Sequence, residues 1–301
     1  MRERGGEGFP PDLIAAMPGM LHAERQMQQR SVLITGCSSG IGLAAARTLK
    51  SRGWRVLATA RGPVDLARLS EAEKLEVLPL ELSDPGSIAA CAAQALERTG
   101  GKLDALYNNA AYGVIGAMED ITADALRRHL EVNVIGTHDL TRRIIPAMRA
   151  QGHGRIVMCS SVLGFVSGPF RGAYCASKFA LEAMSDALRI ELAPASIHVS
   201  IIEPGPIQSS FAATAASTFR ANVDMQASVH RAYYERRLAD LEAGSQRRVE
   251  LGPEAVVAKL VHALESPRPR IRYKIGLPTR AAAIAKRILP DSLLDLVLAR
   301  V

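Results

Sequence analysis

The chain has 301 residues, of which 48% are hydrophobic and 22% charged. The composition is ordinary for a globular protein, and the length suits one large domain or two small ones. The four cysteines form no Cys-x-x-Cys pair and no cluster with His at metal spacing. We therefore expect neither a disulfide framework nor a metal site, and a reducing, cytoplasmic location. No apolar run reaches about 18 residues, so no transmembrane helix is expected, and the N-terminal segment does not resemble a secretory signal.

The net charge of +7 is concentrated near the C-terminus, where residues 266–301 carry eight Lys or Arg residues and two Asp residues. No nucleic-acid-binding motif or aromatic platform accompanies these charges, so we expect no nucleic-acid partner. Contact with an anionic membrane surface, attraction of an acidic substrate and a solvated basic face stay open as explanations.

A predicted strand, a glycine-rich turn and a predicted helix follow one another near the start of the chain. The strand spans residues 31–35, the helix spans residues 43–52, and the turn between them reads Gly-Cys-Ser-Ser-Gly-Ile-Gly. Glycines let the backbone approach a diphosphate, and a helix N-terminus offers unpaired N–H groups and partial positive charge. The pattern therefore predicts the start of a dinucleotide-binding βαβ unit. Its candidate cofactor contacts are Gly36, Ser38, Ser39, Gly40, Ile41 and Gly42.

The residue after the second predicted strand bears on which dinucleotide is bound. That strand spans residues 55–60, Arg61 follows it, and neither Asp nor Glu occurs between residues 55 and 63. At this point of a dinucleotide fold an acidic residue pairs with the ribose 2′-hydroxyl of NAD, whereas Arg suits the 2′-phosphate of NADP. NADP(H) is therefore favoured. NAD(H) stays open, because a solvated loop arginine gives the same pattern.

Strands and helices alternate over most of residues 31–275. Further strand candidates span residues 76–80, 103–107, 155–158, 197–202 and 270–275. Asp84 and Pro85 are predicted as the N-cap and the first residue of a helix. A long helical region over about 122–149 carries Asn133 in an apolar stretch, either as a helix-kink residue or as part of a proton relay. The alternation predicts an α/β domain with a parallel sheet and helices on both of its faces.

Residues 208–250 lack strand character and carry polar sequence, which is typical of a lid over a substrate cleft. Two amphipathic segments at 281–289 and 292–299 are expected to pack on the core, on a partner subunit or on a membrane surface. The predicted organisation is a flexible extension over residues 1–30, one catalytic domain over 31–275 and a basic amphipathic tail over 276–301.

Residues 154–180 contain a tyrosine and a lysine four positions apart. Tyr174 and Lys178 lie on one face of a predicted helix, so their side chains can interact. A partly shielded ammonium lowers the pKa of a phenol from about 10, which lets Tyr174 exchange a proton with a substrate oxygen near neutral pH. Ser161, at the end of the preceding strand, can hydrogen-bond the same oxygen. By itself such a pair is more often an ordinary surface contact, so a cofactor site elsewhere must support the catalytic interpretation.

Six motifs in this order and spacing resemble the short-chain dehydrogenase/reductase family. They are residues 35–42, residues 108–111, Asn133, Ser161, Tyr174 with Lys178, and residues 204–207. The glycine turn and the run Tyr-Cys-Ala-Ser-Lys-Phe-Ala-Leu-Glu are most similar to the 17β-hydroxysteroid and retinol dehydrogenase branch. The resemblance implies a single domain with a doubly wound, Rossmann-like parallel sheet of about seven strands. It also implies hydride transfer between nicotinamide and a carbonyl or alcohol carbon.

The resemblance further implies a role for each site residue. Tyr174 would be the general acid/base, Lys178 would lower its pKa and hold the nicotinamide ribose, and Ser161 would orient the substrate oxygen. Asn133 would position a water that links Lys178 to solvent, and Ile207 would meet the nicotinamide carboxamide through its backbone. The other cofactor contacts that it implies are Glu81, Leu82, Asn109, Ala110, Pro204 and Gly205.

Three positions depart from the family pattern. Glu81 stands where the family often has Asp, which leaves the backbone of Leu82 as the safer adenine contact. Ala111 ends a pattern that usually reads Asn-Asn-Ala-Gly, and Ser209 replaces a Thr that is common after the Pro-Gly turn. None of the three belongs to the proton-transfer set.

The leading hypothesis is an NADP(H)-dependent, homo-oligomeric oxidoreductase that acts on a hydrophobic alcohol or ketone resembling a steroid, retinoid or lipid. A non-catalytic dinucleotide-binding sensor or scaffold on the same fold is the alternative, and the intact Ser161, Tyr174 and Lys178 argue against it. A protein that uses its basic C-terminal segment at a membrane surface is a third hypothesis. The substrate itself is not readable, because residues 162–172 and 208–250, which would shape its pocket, are the least patterned.

Overall fold

The computed structural model describes residues 29–208, 211–242 and 251–299. The strands in these ranges are β1 Ser31–Ile34, β2 Arg55–Ala60, β3 Glu76–Pro79, β4 Ala105–Asn108, β5 Gly154–Cys159, β6 Ile197–Pro204 and β7 Arg272–Ile275. The α-helices are α1 Gly40–Ser51, α2 Pro63–Glu71, α3 Pro85–Arg98, α4 Ala123–Leu130, α5 Thr137–Gln151, α6 Gly172–Leu192, α7 Phe211–Asn222, α8 Arg231–Glu242, α9 Glu254–Glu265, α10 Leu277–Ile288 and α11 Asp291–Leu298.

The strands form one parallel sheet in the order β3-β2-β1-β4-β5-β6-β7. The chain first builds outwards from β1 to β3 and then returns to place β4 on the other side of β1. The strand order reverses at this point, so a crevice opens at the carboxyl ends of β1 and β4. The prediction of a single domain with a doubly wound, Rossmann-like sheet is confirmed.

Helices cover both faces of the sheet, which explains why its strands are apolar on both sides. One core lies between the sheet and helices α1, α2 and α9, and a second lies between the sheet and helices α3, α5 and α6. A third, smaller core joins the segment after β4 to α7 and α8 through Val114, Phe219 and Tyr234. Burying each such side chain contributes roughly 1.5–3 kcal/mol, so this third core holds α7 and α8 in place beside the sheet.

The structure departs from the predicted helices at two places. The short helix α2 was not predicted, although it begins with Pro63 at its first position. The helix predicted over 122–149 is interrupted by a π-helical turn at Glu131–Gly136, which contains Asn133. A Cβ on Gly136 would lie only 2.0 Å from the carbonyl oxygen of Leu82, so this turn packs directly on backbone. The predicted cap of α3 is present, because Asp84 Oδ1 accepts the N–H of Gly86 at 2.9 Å.

The segment predicted as a lid contains α7 and α8, while residues 209–210 and 243–250 lie outside the described ranges. The two amphipathic C-terminal segments are α10 and α11. Nearly all of the predicted N-terminal extension, residues 1–28, also lies outside the described part of the chain. None of the described helices has the length and apolarity needed to cross a bilayer.

Candidate active site

The turn between β1 and α1 brings backbone segments unusually close together. Gly36 and Gly40 have φ angles of +72° and +54°, a region that other residues rarely adopt. A Cβ on Gly42 would lie 2.1 Å from the carbonyl oxygen of Gly36, so Gly42 is needed beneath the turn. The residues of the turn that line the cleft are Gly36, Ser38, Ser39, Gly40 and Ile41. The N-terminus of α1 therefore opens onto the cleft, as the binding of a diphosphate requires.

Asn109 and Thr35 fasten this turn to the end of β4. Asn109 Nδ2 donates to the carbonyl oxygens of Thr35 at 3.0 Å and Gly36 at 3.2 Å. Thr35 Oγ1 accepts the backbone N–H groups of Asn109 and Ala110, both at 2.9 Å. Asn109 and Ala110 also line the cleft. The side chain of Asn109 thus braces the turn, a task that the sequence pattern did not indicate.

The ends of β2 and α2 form one wall of the cleft. Arg61 is exposed there and lines the cleft together with Asp65. Arg68 pairs with Asp65 at 3.1 Å and also donates to the carbonyl oxygen of Ser38. Asp65 and Arg68 escaped the sequence analysis because they lie on α2, the helix that was not predicted. The carboxylate of Asp65, which lies on the same wall as Arg61, is therefore paired with Arg68.

Glu81 and Leu82 line the cleft just beyond β3. The Glu81 carboxylate accepts the backbone N–H of Ser83 at 3.0 Å and its hydroxyl at 2.9 Å. Its hydrogen-bonding capacity is thus partly used within its own turn. This geometry is compatible with the predicted preference for the Leu82 backbone as the adenine contact, which stays a prediction.

Tyr174, Ser161 and Lys178 meet at the carboxyl end of β5. Ser161 is the residue next to the Tyr174 hydroxyl and acts to lower its pKa, whereas the buried Ser160 turns towards Glu182. The structure thus brings Ser161, and not its neighbour, to Tyr174. Lys178 is almost fully buried, and its Nζ donates to the carbonyl oxygen of the last residue of β5 at 2.7 Å.

The predicted lowering of the Tyr174 pKa is wrong for this structure. Burial raises the pKa of the phenol well above its ordinary value, and the neighbouring Ser161 hydroxyl only partly opposes the rise. Lys178 Nζ lies 5.7 Å from the centroid of the Tyr174 ring, and burial lowers the pKa of this ammonium as well. Desolvation therefore outweighs the neighbouring charge. Tyr174 is held as a neutral phenol, which can donate a proton.

Asn133 lies in the π-helical turn and is only 2% exposed. Its Oδ1 accepts the N–H of Tyr112 at 3.2 Å, and its Nδ2 donates to the carbonyl oxygen of Tyr112 at 2.9 Å. The amide is thus paired on both sides with the loop after β4. This geometry fits the helix-kink alternative, because π-turns interrupt helices in this way. A part in a proton relay stays a prediction.

His129, one helical turn before Asn133, was missed by the sequence analysis. Its side chain is fully buried, with Nε2 3.3 Å from Asn133 Nδ2 and its ring centroid 6.3 Å from that of Tyr174. Burial, together with a smaller effect of the Lys178 charge, lowers the pKa of His129 to about 4. The neutral ring can accept a hydrogen bond from the Asn133 amide. The one signal in the sequence was its spacing of four residues from Asn133, which places the two side chains on the same face of a helix.

Residues 204–207 continue the cleft wall from the end of β6. The N–H of Gly205 donates to the carbonyl oxygen of Ile275 at 3.1 Å. Ile207 forms an isolated parallel bridge with Leu251. Pro204, Gly205 and Ile207 all line the cleft, so the structure brings these predicted cofactor contacts to the same space as Tyr174.

One cleft of about 1250 Å³ connects the glycine turn with Tyr174 and continues beyond it. This volume exceeds the roughly 300–1,000 Å³ of a typical small-molecule site, so a dinucleotide and a substrate fit together. Gly42, Asn133 and His129 stand behind the wall and do not line it. Beyond Tyr174 the described wall is mainly apolar, and it includes Ile115, Val166, Phe170, Phe211 and Ala282.

The family model for short chain dehydrogenases matches residues 30–219. The chain is 42% identical over 273 residues to the uncharacterized oxidoreductase YbbO of Escherichia coli K12, covering 91% of this chain and 95% of that protein. It is 36% identical over 260 residues to human 17-beta-hydroxysteroid dehydrogenase type 1, covering 82% and 77% of the two chains. It is 34% identical over 279 residues to mouse retinol dehydrogenase 5, covering 89% and 87%.

Solved structures of short-chain dehydrogenases share the fold. A short-chain dehydrogenase/reductase from Burkholderia phymatum in complex with NAD has a TM-score of 0.73 and 26% identity, covering 90% of this chain and 95% of that one. An actinorhodin polyketide ketoreductase with NADPH has a TM-score of 0.65 and 28% identity, covering 79% and 91%. Proteins of this fold therefore include both an NAD complex and an NADPH complex.

Proposed function

Since the chain belongs to the short-chain dehydrogenase/reductase family and is an NAD(P)-dependent oxidoreductase, we propose that it interconverts a hydrophobic ketone or aldehyde and the corresponding alcohol with NADP(H). The observation that carries this proposal is the convergence of Tyr174, Ser161 and Lys178 on the cleft wall, where the glycine-lined part of the cleft meets its apolar part. Steroid-like, retinoid-like and other lipid-like carbonyl compounds are the proposed substrates, in keeping with the names of two relatives.

The proposed chemistry assigns one task to each side chain. When bound, NADPH supplies the hydride that reduces the carbonyl carbon. Tyr174 donates its phenolic proton to the carbonyl oxygen as negative charge develops there, and Ser161 donates a second hydrogen bond to that oxygen. Lys178 stabilises the phenolate that remains after the proton has left. Alcohol oxidation reverses these steps, with Tyr174 accepting the proton.

The cofactor part of the proposal uses three groups of residues. The glycine turn and the N-terminus of α1 would hold the diphosphate, and Lys178 would hold the nicotinamide ribose. Arg61 would bind the 2′-phosphate of NADP(H). The preference for NADP(H) is supported by the position of Arg61 on the cleft wall and by the pairing of the nearby Asp65 with Arg68.

Purified protein should be assayed with NADPH and NADH against a panel of lipophilic ketones and aldehydes. We expect reduction of at least one compound by wild type, and a loss of turnover of roughly 10²–10⁴-fold in Tyr174→Phe. NADPH binding, followed by fluorescence titration, should persist in that variant. Equal turnover by wild type and Tyr174→Phe would overturn the mechanism. NADPH binding without turnover of any compound by wild type would favour the sensor or scaffold alternative.

We also propose that the protein is a homo-oligomer. The exposed face of α6 carries an apolar stripe that includes Phe179, Ala183, Ala187 and Ile190, with Ile190 66% exposed. A second copy of the chain would cover this stripe. Light scattering after size exclusion should give a multiple of the 32.3 kDa chain mass, and Ile190→Lys should shift it towards the monomer. A monomeric wild type would contradict this part of the proposal.

A weak contact with a membrane surface is a further part of the proposal. Leu277, Ile284 and Ile288 share one face of α10 and are 77%, 61% and 69% exposed, and α10 also carries Arg280 and Arg287. Apolar and basic side chains together suit an anionic bilayer surface. The protein should sediment with anionic vesicles at low salt and release at high salt. Four reduced, buried cysteines support a cytoplasmic location for this contact.

A further inference from the structure

The charged residues on the described cleft wall are unevenly distributed. They are Arg61, Asp65, Glu81, Arg171, Lys178 and Arg237. The first three lie near the ends of β2 and β3, and Lys178 is engaged by a backbone carbonyl oxygen at 2.7 Å. Among the residues that the structure describes, the wall beyond Tyr174 therefore carries two arginines and no carboxylate.

The two arginines flank a stacked aromatic pair. Phe170 and Tyr233 stack with their ring centroids 3.8 Å apart and their planes 15° apart. Arg171 directly follows Phe170, and Arg237 lies one helical turn after Tyr233 on α8. All four residues line the cleft. They form one continuous stretch of wall, which we call the arginine–aromatic wall.

Arg171 stands at the end of this wall nearer to the reacting groups. It precedes the first turn of α6, three residues before Tyr174. Burial raises the pKa of Tyr174, and the positive charge of Arg171 acts in the opposite direction. The Arg171 guanidinium is thus close enough to influence a negative charge near the Tyr174 hydroxyl.

Arg237 is half-buried, and none of the side chains that the structure describes forms an ion pair with it. Its side chain also borders a small void of about 10 Å³ together with Ile115, Phe219 and Leu238. By contrast, Arg231 at the start of the same helix pairs with Glu235 at 2.7 Å. Arg237 is therefore placed against apolar side chains, and the described side chains of its own helix offer it no acidic partner.

A partly desolvated guanidinium without a counter-charge is stabilised by an anion that enters the cleft. Arginine suits carboxylate and phosphate groups, because its planar fork of donors matches their oxygens. The rival explanation is that the stem of Arg237 covers apolar surface while its head points into bulk water. Such an arginine would not distinguish a charged ligand from a neutral ligand of the same shape.

We propose that the preferred substrate is an anionic amphiphile, in which an aliphatic chain joins the reactive carbonyl to a carboxylate or phosphate group. The carbonyl would lie at Tyr174, the chain would lie along the stacked rings, and Arg237 would bind the anionic end with support from the charge of Arg171. This inference rests on the proposed function and narrows its substrate class. It treats the arginine–aromatic wall as the specificity-determining part of the cleft.

The test compares probes that share an aldehyde and a chain length and differ in the group at the other end of the chain. They are a straight-chain ω-oxo fatty acid, its methyl ester and the ω-oxo alkyl phosphate of the same length, each assayed with NADPH. We expect kcat/KM for the acid to exceed that for the ester by roughly ten- to hundredfold, the range of a charge-assisted hydrogen bond, mainly through KM. The phosphate arm shows which anionic group Arg237 prefers. Arg237→Gln should bring the acid-to-ester ratio close to one, and Arg237→Glu should invert it.

Arg236→Gln is the matched control, because Arg236 is exposed on the same helix and does not line the cleft. It should keep the wild-type ratio. A second measurement avoids turnover altogether: calorimetry should show that a saturated fatty acid binds the protein–NADP complex about tenfold more tightly than the alcohol of equal length. Arg237→Gln should abolish that difference.

The outcomes separate this inference from the proposed function. Equal kcat/KM for acid and ester in wild type, or a preference that survives Arg237→Gln, would overturn the inference while the oxidoreductase function stands. Failure of wild type to reduce any probe, together with equal binding of the fatty acid and the alcohol, would overturn both. If the protein binds the fatty acid more tightly than the alcohol but reduces none of the probes, the anion site stands and the proposed reaction is contradicted.

Discussion

The two ends of the cleft are built in different ways. The glycine-turn end is made of backbone: the turn after β1 packs on the end of β4, and Asn109 bonds directly to two carbonyl oxygens of that turn. The far end is made of side chains from α7, α8, α10 and the loop before α6, with Phe170, Tyr233 and Arg237 among them. Backbone contacts at the first end leave no room for a methyl group at Gly42. Side chains at the second end can be replaced by others without a shift of the sheet.

This difference separates what the protein shares with its relatives from what it can vary. A dinucleotide is the same molecule in every reaction, so a rigid backbone cradle suits it. A substrate class changes between enzymes, and helices that pack on the sheet through a small separate core can present different side chains. Substitutions should therefore have large effects at the first end and graded effects on selectivity at the second.

Gly42→Ala is expected to give the largest effect, because the new Cβ would lie 2.1 Å from the carbonyl oxygen of Gly36. We expect a loss of about 3 kcal/mol in the free energy of unfolding and loss of NADPH binding, measured by urea denaturation and fluorescence titration. Gly62→Ala is the control, since nothing lies within 4 Å of its built Cβ, and it should cost less than about 1 kcal/mol. Similar losses of stability and NADPH binding in both variants would contradict the conclusion that close backbone packing at Gly42 shapes this end of the cleft.

His129 lies between the two ends, and its burial makes stability depend on pH. Its pKa is lowered from 6.5 to about 4, so below the ordinary value the unfolded chain binds a proton that the folded chain excludes. Stability should therefore fall by up to roughly 3 kcal/mol as the pH drops from the unfolded to the folded pKa. Urea unfolding at several pH values should show this slope flattened in His129→Gln. The exposed His138→Gln should retain it, and an unchanged slope in His129→Gln would contradict the assignment.

Arg61→Asp tests whether one side chain at the glycine-turn end sets the preference for NADPH over NADH. Loss of the charge-assisted bond should lower the ratio of kcat/KM for NADPH to that for NADH by about 100-fold. Arg268→Asp makes the same charge change at an exposed loop position outside the cleft wall, and it should leave the ratio as it is. An Arg61→Asp protein that keeps its NADPH preference would show that other groups select the cofactor.

Tyr233→Leu should give the smallest effect, because it removes one ring from a stacked pair at the side-chain-built end. An aromatic pair contributes about 0.5–1.5 kcal/mol beyond its burial, so KM for lipophilic substrates should rise by a few-fold. The Kd for NADPH, measured by titration, should stay within error of wild type. A large change in cofactor affinity would mean that the two ends are coupled.

The sequence by itself determined the fold and the positions of most of the proposed catalytic and cofactor-binding residues. The reason is that these features depend on near neighbours: strand and helix periodicity, glycines at positive φ, and Tyr174 and Lys178 one helical turn apart. The choice of Ser161 over Ser160 depends on the family resemblance, which places the serine thirteen residues before the tyrosine, and the structure places Ser161 beside Tyr174. The approximate positions of the strands followed from the same local rules, whereas their order in the sheet came from the structure.

Only the tertiary structure decided the electrostatics of the site and the composition of its far end. The direction of the Tyr174 pKa depends on how many atoms exclude water from the phenol, and burial by distant segments reversed the effect expected from Lys178. The pairing of Asp65 with Arg68, the burial of His129 and the arginine–aromatic wall likewise join residues whose contacts no local pattern encodes. Desolvation and long-range packing are properties of the folded chain as a whole, so they cannot be read from any one segment of it.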